Sequence, residues 1–189
     1  MTTKKILIIH IQNQLSAPVL YRLLTGKLNF FQMNFLSLSK RFFANASCQR
    51  GFHYNVAVVR DIDSKLFNAE CLNLSLRSSL NIDLARHQHQ LMIYSLQQSG
   101  ISNIYSLPSD GLPDSVFVED TAVVIGKNVL LTNPGALSRQ KELCRVKEFF
   151  ENTKTLMGKP LKIMNLYKGT LDGGDVLFTG IIITTFHSS

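Results

Sequence analysis

The sequence predicts a mixed α/β fold, and three observations carry that expectation. Short β-branched runs such as 54–60 (YNVAVVR) have the length and composition of strands. Segments 83–100 and the stretch after Ser138 space their apolar residues at helical intervals. Between them, Gly126-Lys127-Asn128 separates two strand-like runs in the manner of a hairpin turn.

The composition changes near residue 50, and the organised body begins at about Gly51. Run 54–60 is the first strand, and a polar segment follows to about Asn81. Segment 83–100 is a helix, with Leu84, His87, Leu91 and Tyr94 or Ser95 along one side and Gly100 as its stop. Run 101–107 returns as a strand. Runs 116–125 and 129–133 form the hairpin, which Pro134-Gly135 ends. Ser138 is placed to cap a second helix whose apolar stripe is Leu143, Val146, Phe149 and Phe150. Runs 161–166 and 175–179 are two further strands. The resulting order is one in which a short strand-helix module recurs.

The 189 residues, 45% hydrophobic, are enough for one domain with a core. No apolar run approaches the ~18 residues that span a bilayer. The net charge of +7 lies in the leader, residues 1–50, where Lys4, Lys5, Arg22, Lys27, Lys40, Arg41 and Arg50 stand without any acid. The rest of the chain holds 13 basic against all 13 acidic residues. A neutral body argues against nucleic acid as a partner. The leader is also Ser-, Asn- and Phe-rich, like a mitochondrial transit peptide; an unstructured extension is the alternative. Cys48, Cys71 and Cys144 form an odd, sparse set, which suggests a reducing compartment and so a cytoplasmic protein. His87 and His89 are two apart, and metal-ligand spacing is absent.

Three clusters could carry chemistry. LPDSVFVED places Asp114, Glu119 and Asp120 in an apolar setting. Charges inside a strand are costly, so a break in pattern here marks either a functional site or an exposed hairpin edge. Neighbouring strand residues face opposite sides, so Glu119 and Asp120 reach one pocket only from a bulge or a strand end. TLDGGD holds Asp172 and Asp175 around two glycines, a tight turn that can present a carboxylate, or an ordinary surface turn. NPGALSRQK sets Arg139 at a helix start, where it either reaches a ligand carboxylate or is solvated.

Taken together and in this order, LPDSVFVEDTAVV, NPGALSRQKE and TLDGGDVLFTG resemble the dimethylarginine dimethylaminohydrolases of the guanidino-group modifying (pentein) superfamily. FHYNVAVVR and ARHQHQ fit that family's opening strand and first helix. The resemblance covers about residues 52–180. It implies the first two or so of five modules of an α/β propeller, with residues 181–189 as a non-matching tail. It implies hydrolysis of dimethylarginine or monomethylarginine to citrulline and methylamines, linked to arginine metabolism and nitric oxide regulation, with no cofactor. By motif match Asp120 holds the substrate guanidinium beside Glu119 and Asp114, Arg139 contacts the amino-acid end, and Asp172 orients a catalytic histidine. A guanidinium presents five donors in a rigid plane, and carboxylates are its natural partners. In the family a cysteine thiolate attacks the guanidinium carbon. None of Cys48, Cys71 and Cys144 matches that position, nor does His187 match the histidine. The chain alone is therefore expected to be inactive, and with only part of the propeller it is expected to be a marginal, aggregation-prone fragment or one that needs a partner chain. The alternative is a non-catalytic form that binds arginine-like ligands or a full-length partner.

Overall fold

The computed structural model describes residues 6–8, 54–70, 77, 80–153, 160–178 and 183–185. The first sheet has the order β1 (Ile6–Ile8), β2 (Val56–Arg60), β3 (Asn103–Leu107), with both pairings parallel. β2 is central, and all five of its residues are buried. That is why the run reads as nearly continuous apolar sequence instead of alternating.

Parallel neighbours need a crossover, and α1 (Ile82–Gln98) supplies it between β2 and β3. Asn81 caps it, accepting from the Leu84 amide at 2.9 Å. Gly100, at φ 94°, turns the chain out of the helix. The buried face is Ala85, Gln88, His89, Met92 and Leu96. This corrects the expected stripe, since His87 and Tyr94 are exposed. Met92 and Leu96 decide the rotation, because they pack with Ala57, Val59 and Ile101 on one face of the sheet.

The second sheet runs β4 (Ala122–Ile125), β5 (Asn128–Leu131), β6 (Lys162–Asn165), antiparallel and then parallel. Ile125 pairs with Asn128, so the hairpin loop is two residues, one fewer than the sequence suggested. Gly126 takes the positive φ of 61° that such a loop needs at its first position. The expected strand over 116–125 is also shorter. Residues up to Thr121 turn, and regular pairing starts at Ala122.

α2 (Leu143–Asn152) follows a single 3-10 turn over Arg139–Glu142. Ser138 makes no capping bond; its hydroxyl donates to the Glu70 carboxylate instead. Val146, Phe149 and Phe150 are buried as the stripe predicted. They pack with Val56, Val58 and Leu107 of the first sheet and Val129 and Leu131 of the second. Burying each such side chain contributes about 1.5–3 kcal/mol, so α2 helps to fasten the two sheets together.

β7 (Val176–Phe178) and β8 (Ile183–Thr185) form an antiparallel pair. β1 and β8 lie outside the 51–180 body that the sequence suggested. Ile6–Ile8 of the leader pairs with β2, and part of the expected tail pairs with β7. Met33, Cys48, Cys71 and His187 lie outside the described residues. No helix among the described residues is long and apolar enough to cross a membrane.

Candidate guanidinium site

Glu119 and Asp120 sit in a 3-10 turn over Val118–Thr121. This turn frees them from the strand alternation that would have sent them to opposite faces. Both are buried, as is Asp114. The turn is held from two sides. The Thr121 hydroxyl donates to the Val118 carbonyl at 2.6 Å, and the Thr132 hydroxyl donates to the Asp120 carbonyl at 2.5 Å. Asp114 Oδ2 accepts from the Glu70 amide at 3.0 Å.

The LDGGD segment reaches the same place. The Leu171 amide donates to the Asn133 carbonyl at 2.8 Å, in an isolated antiparallel bridge. Asn133 Nδ2 donates to the Gly169 carbonyl at 2.7 Å. Gly173–Asp175 then forms another 3-10 turn. From it the Gly174 amide donates to Asp120 Oδ1 at 3.2 Å. Gly173 packs so closely on the first turn that a Cβ there would lie 2.1 Å from the Glu119 carbonyl oxygen. The two motifs, distant in sequence, are therefore one packed unit.

Asp172 is half-buried, and its Oδ1 is a buried atom with no hydrogen-bond partner among the described residues. Burial pushes its carboxyl above the ordinary carboxylate range, and the neighbouring Asp120 pushes it further; Arg139 and the Gly135 amide oppose.

Arg139 is the cation of the cluster, with only 11% of its side chain exposed. NH1 donates to Asp120 Oδ2 at 2.6 Å. NH2 donates to Glu142 Oε2 at 3.0 Å and to the Phe117 carbonyl at 3.1 Å, and Nε donates to Glu142 Oε1 at 3.3 Å. The solvated helix arginine is thus excluded. The expected reach to the amino-acid end of a ligand is not what this arrangement displays either, because Arg139 is turned inward onto Asp120 and Glu142. Burial alone would lower its affinity for the proton, but Glu142 and Asp120 outweigh this and raise it. Burial pushes Glu142 upward, partly offset by Arg139.

One buttress was not legible beforehand. Arg60, at the end of β2, has a fully buried side chain. It donates to the Pro108 carbonyl at 3.0 Å, the Glu142 carbonyl at 3.2 Å, the Ser109 carbonyl at 3.3 Å and Asp110 Oδ2 at 3.0 Å. Asp110 also pairs with Arg145 of α2 at 2.9 Å. An arginine closing a strand run gives no sign in the sequence that it turns inward.

The structure brings Asp114, Glu119, Asp120, Arg139 and Asp172 together. It places Cys144 elsewhere, exposed on α2 with Glu148 at 3.7 Å. His87 is exposed on α1, and the charge acting on buried His89 is Asp61. Among the described residues no group of three His, Cys, Asp or Glu is arranged to hold a metal ion.

Comparison with known proteins places this geometry. No family model matches the chain. Over 104 residues it is 36% identical to the dimethylarginine dimethylaminohydrolase of Streptomyces coelicolor, covering 55% of this chain and 38% of that protein. It is 30% identical over 125 residues to a putative hydrolase, DDAH2, of Bos taurus, covering 66% and 42%. Among solved structures it resembles a Pseudomonas aeruginosa dimethylarginine dimethylaminohydrolase mutant complexed with citrulline. There the TM-score is 0.56 at 29% identity, over 68% of this chain and 48% of that one. The ArgZ N-terminal domain bound to product, at 19% identity and TM-score 0.50, shares the fold. The class is thus a pentein-type α/β fold. Over roughly half of its length the chain is similar to dimethylarginine dimethylaminohydrolases within that class. It spans about two fifths of the length of the curated relatives it matches.

Proposed function

We propose that this chain supplies the guanidinium-holding half of a dimethylargininase site, of the kind that hydrolyses dimethylarginine or monomethylarginine to citrulline and methylamines. One observation carries the reading: the Gly174 amide on the Asp120 carboxylate, which joins the buried FVED turn and the half-buried LDGGD turn in one acidic unit. In this reading Asp120 faces the substrate guanidinium, with Glu119 and Asp114 beside it. Carboxylates there orient the planar fork and keep it charged, so its carbon stays electrophilic. Asp172, whose proton affinity burial raises, orients the histidine of a Cys-His-Asp set. Arg139, held by Glu142, turns from Asp120 toward the amino-acid end.

The nucleophile is no residue described near this cluster, because Cys144 is exposed on α2. Covalent attack has no route without a thiolate at the site. The 189 residues by themselves are therefore expected to bind methylated arginine without releasing citrulline. Calorimetry of the purified chain with monomethylarginine tests the binding. Saturable heat that Asp120→Asn abolishes is the expected result, and a flat titration of the folded chain would sink the reading. Citrulline formed by this chain alone would overturn the assignment of the missing nucleophile. The sparse cysteines favour the cytoplasm, with mitochondrial entry through the basic leader as the alternative; a fusion of residues 1–50 to a fluorescent reporter separates the two.

A further inference from the structure

The cluster contains a buried carboxylate that the motif reading passed over. Glu142 is 1% exposed and lies in the 3-10 turn before α2. Its two oxygens take Nε and NH2 of Arg139, at 3.3 and 3.0 Å. That leaves NH1 for Asp120 at 2.6 Å. One guanidinium is thus divided between two carboxylates, one of which is the residue read above as the substrate's own partner.

The other end of Glu142 is fixed as well. Its carbonyl accepts from Arg60 NH1 at 3.2 Å, and Arg60 is itself held by Asp110. The relay runs from Asp110 through Arg60 and Glu142 to Arg139 and Asp120. Each link is a charge-assisted contact, and from Arg60 inward the groups are largely shielded from water, where such contacts are strongest. Arg139 also braces the turn directly, donating to the carbonyls of Phe117 at 3.1 Å and Asp114 at 3.4 Å.

We propose that Glu142 is a positioning residue of the guanidinium site. It draws the charge of Arg139 away from Asp120, so that Asp120 can accept a ligand guanidinium. With Glu142 neutral, Asp120 becomes the sole carboxylate partner of Arg139. An incoming guanidinium must then displace an internal one with no other anion to receive it. The inference rests on the function proposed above, in that the ligand is a guanidinium at Asp120.

The test is Glu142→Gln in the full chain, read in two ways. The first needs no ligand. The two-oxygen grip on Nε and NH2 holds the Arg139 guanidinium plane, so its Nε–H and its separated Nη resonances should be visible in the native protein by side-chain nitrogen NMR. In Glu142→Gln they should broaden and exchange faster. The second is the Kd for monomethylarginine by calorimetry, expected to weaken about tenfold from the loss of one nearby negative charge. Glu142→Asp keeps the charge and should restore most of both signals; it also serves as the comparison where Glu142→Gln does not fold. Arg139 resonances and Kd unchanged in a folded Glu142→Gln would overturn the proposal, as would an Asp variant no better than Gln. If native chain binds no guanidinium while its Arg139 loosens on loss of Glu142, the assigned ligand fails and the positioning of Arg139 stands.

Discussion

Gly173 lies against the carbonyl oxygen of Glu119, with room for no further carbon: a Cβ would stand 2.1 Å away. The obstruction is backbone, so no side chain can swing aside to relieve it. Gly173→Ala must separate the FVED and LDGGD turns. It is expected to cost about 1–3 kcal/mol, the range for overpacking a filled site. It should also lengthen the Gly174–Asp120 contact, so that guanidinium binding falls with stability. Urea denaturation alongside calorimetry checks both, and an unchanged midpoint would contradict the packing.

Arg60 predicts a loss of stability of its own. Its side chain is fully buried and serves three carbonyls and Asp110. Arg60→Met keeps the aliphatic stem but strands those acceptors. Asp110 is partly solvated and keeps Arg145, so the cost is chiefly that of the buried Glu142 carbonyl left unpaired, about 1–3 kcal/mol, and the urea midpoint should fall to match. A variant within 1 kcal/mol of the parent, on the scale of a surface pair, would show that the network is dispensable.

Asp110 is the one described non-glycine residue at positive φ, 56°. Its carboxylate bridges Arg60 and Arg145. Asn tolerates that backbone but lacks the charge, whereas Ala lacks both the charge and the local polar group that helps hold a left-handed residue. Asp110→Ala should therefore cost about 1 kcal/mol more than Asp110→Asn. Equal thermal midpoints for the two would mean the backbone conformation matters little.

Asp172 gives a pH dependence. Its proton affinity in the folded chain is raised, first by burial and then by Asp120. The folded state thus holds a proton there more tightly than the unfolded chain. Its contribution to stability is fully present below the ordinary 3.8 and is lost as pH rises through the higher folded value. Asp172→Asn removes this dependence. The difference in urea midpoint between parent and variant should shift in favour of the variant as pH rises across that window. Parallel profiles would show that Asp172 is solvated.

What the sequence revealed, and what it hid, follows from range. The fold class, the crossover helix and the α2 stripe rest on local periodicity, and all three are present. FVED and LDGGD were legible because their residue types and order are distinctive, even though a strand was assigned where a 3-10 turn stands. The rotation of α1 was misread because Leu84 and His87 fit a helical stripe as well as Ala85 and Gln88 do, and only the sheet beneath decides. Arg139 read equally as a ligand contact or a solvated helix arginine, and its internal partners, Asp120 and Glu142, were hidden because they are chosen by folding. Arg60 hid for the same reason: one of its acceptors is 82 residues away.

The bond between Asp120 and Gly174 spans 54 positions. During synthesis, the first acidic turn must leave the ribosome and wait while the hairpin, α2 and β6 are made. Contacts that close long loops form late and slow folding. Until then the carboxylates of the first turn lack the amide that helps hold them. The cluster is thus finished among the last parts of this chain, and a translational pause between β6 and β7 would prolong its half-built state.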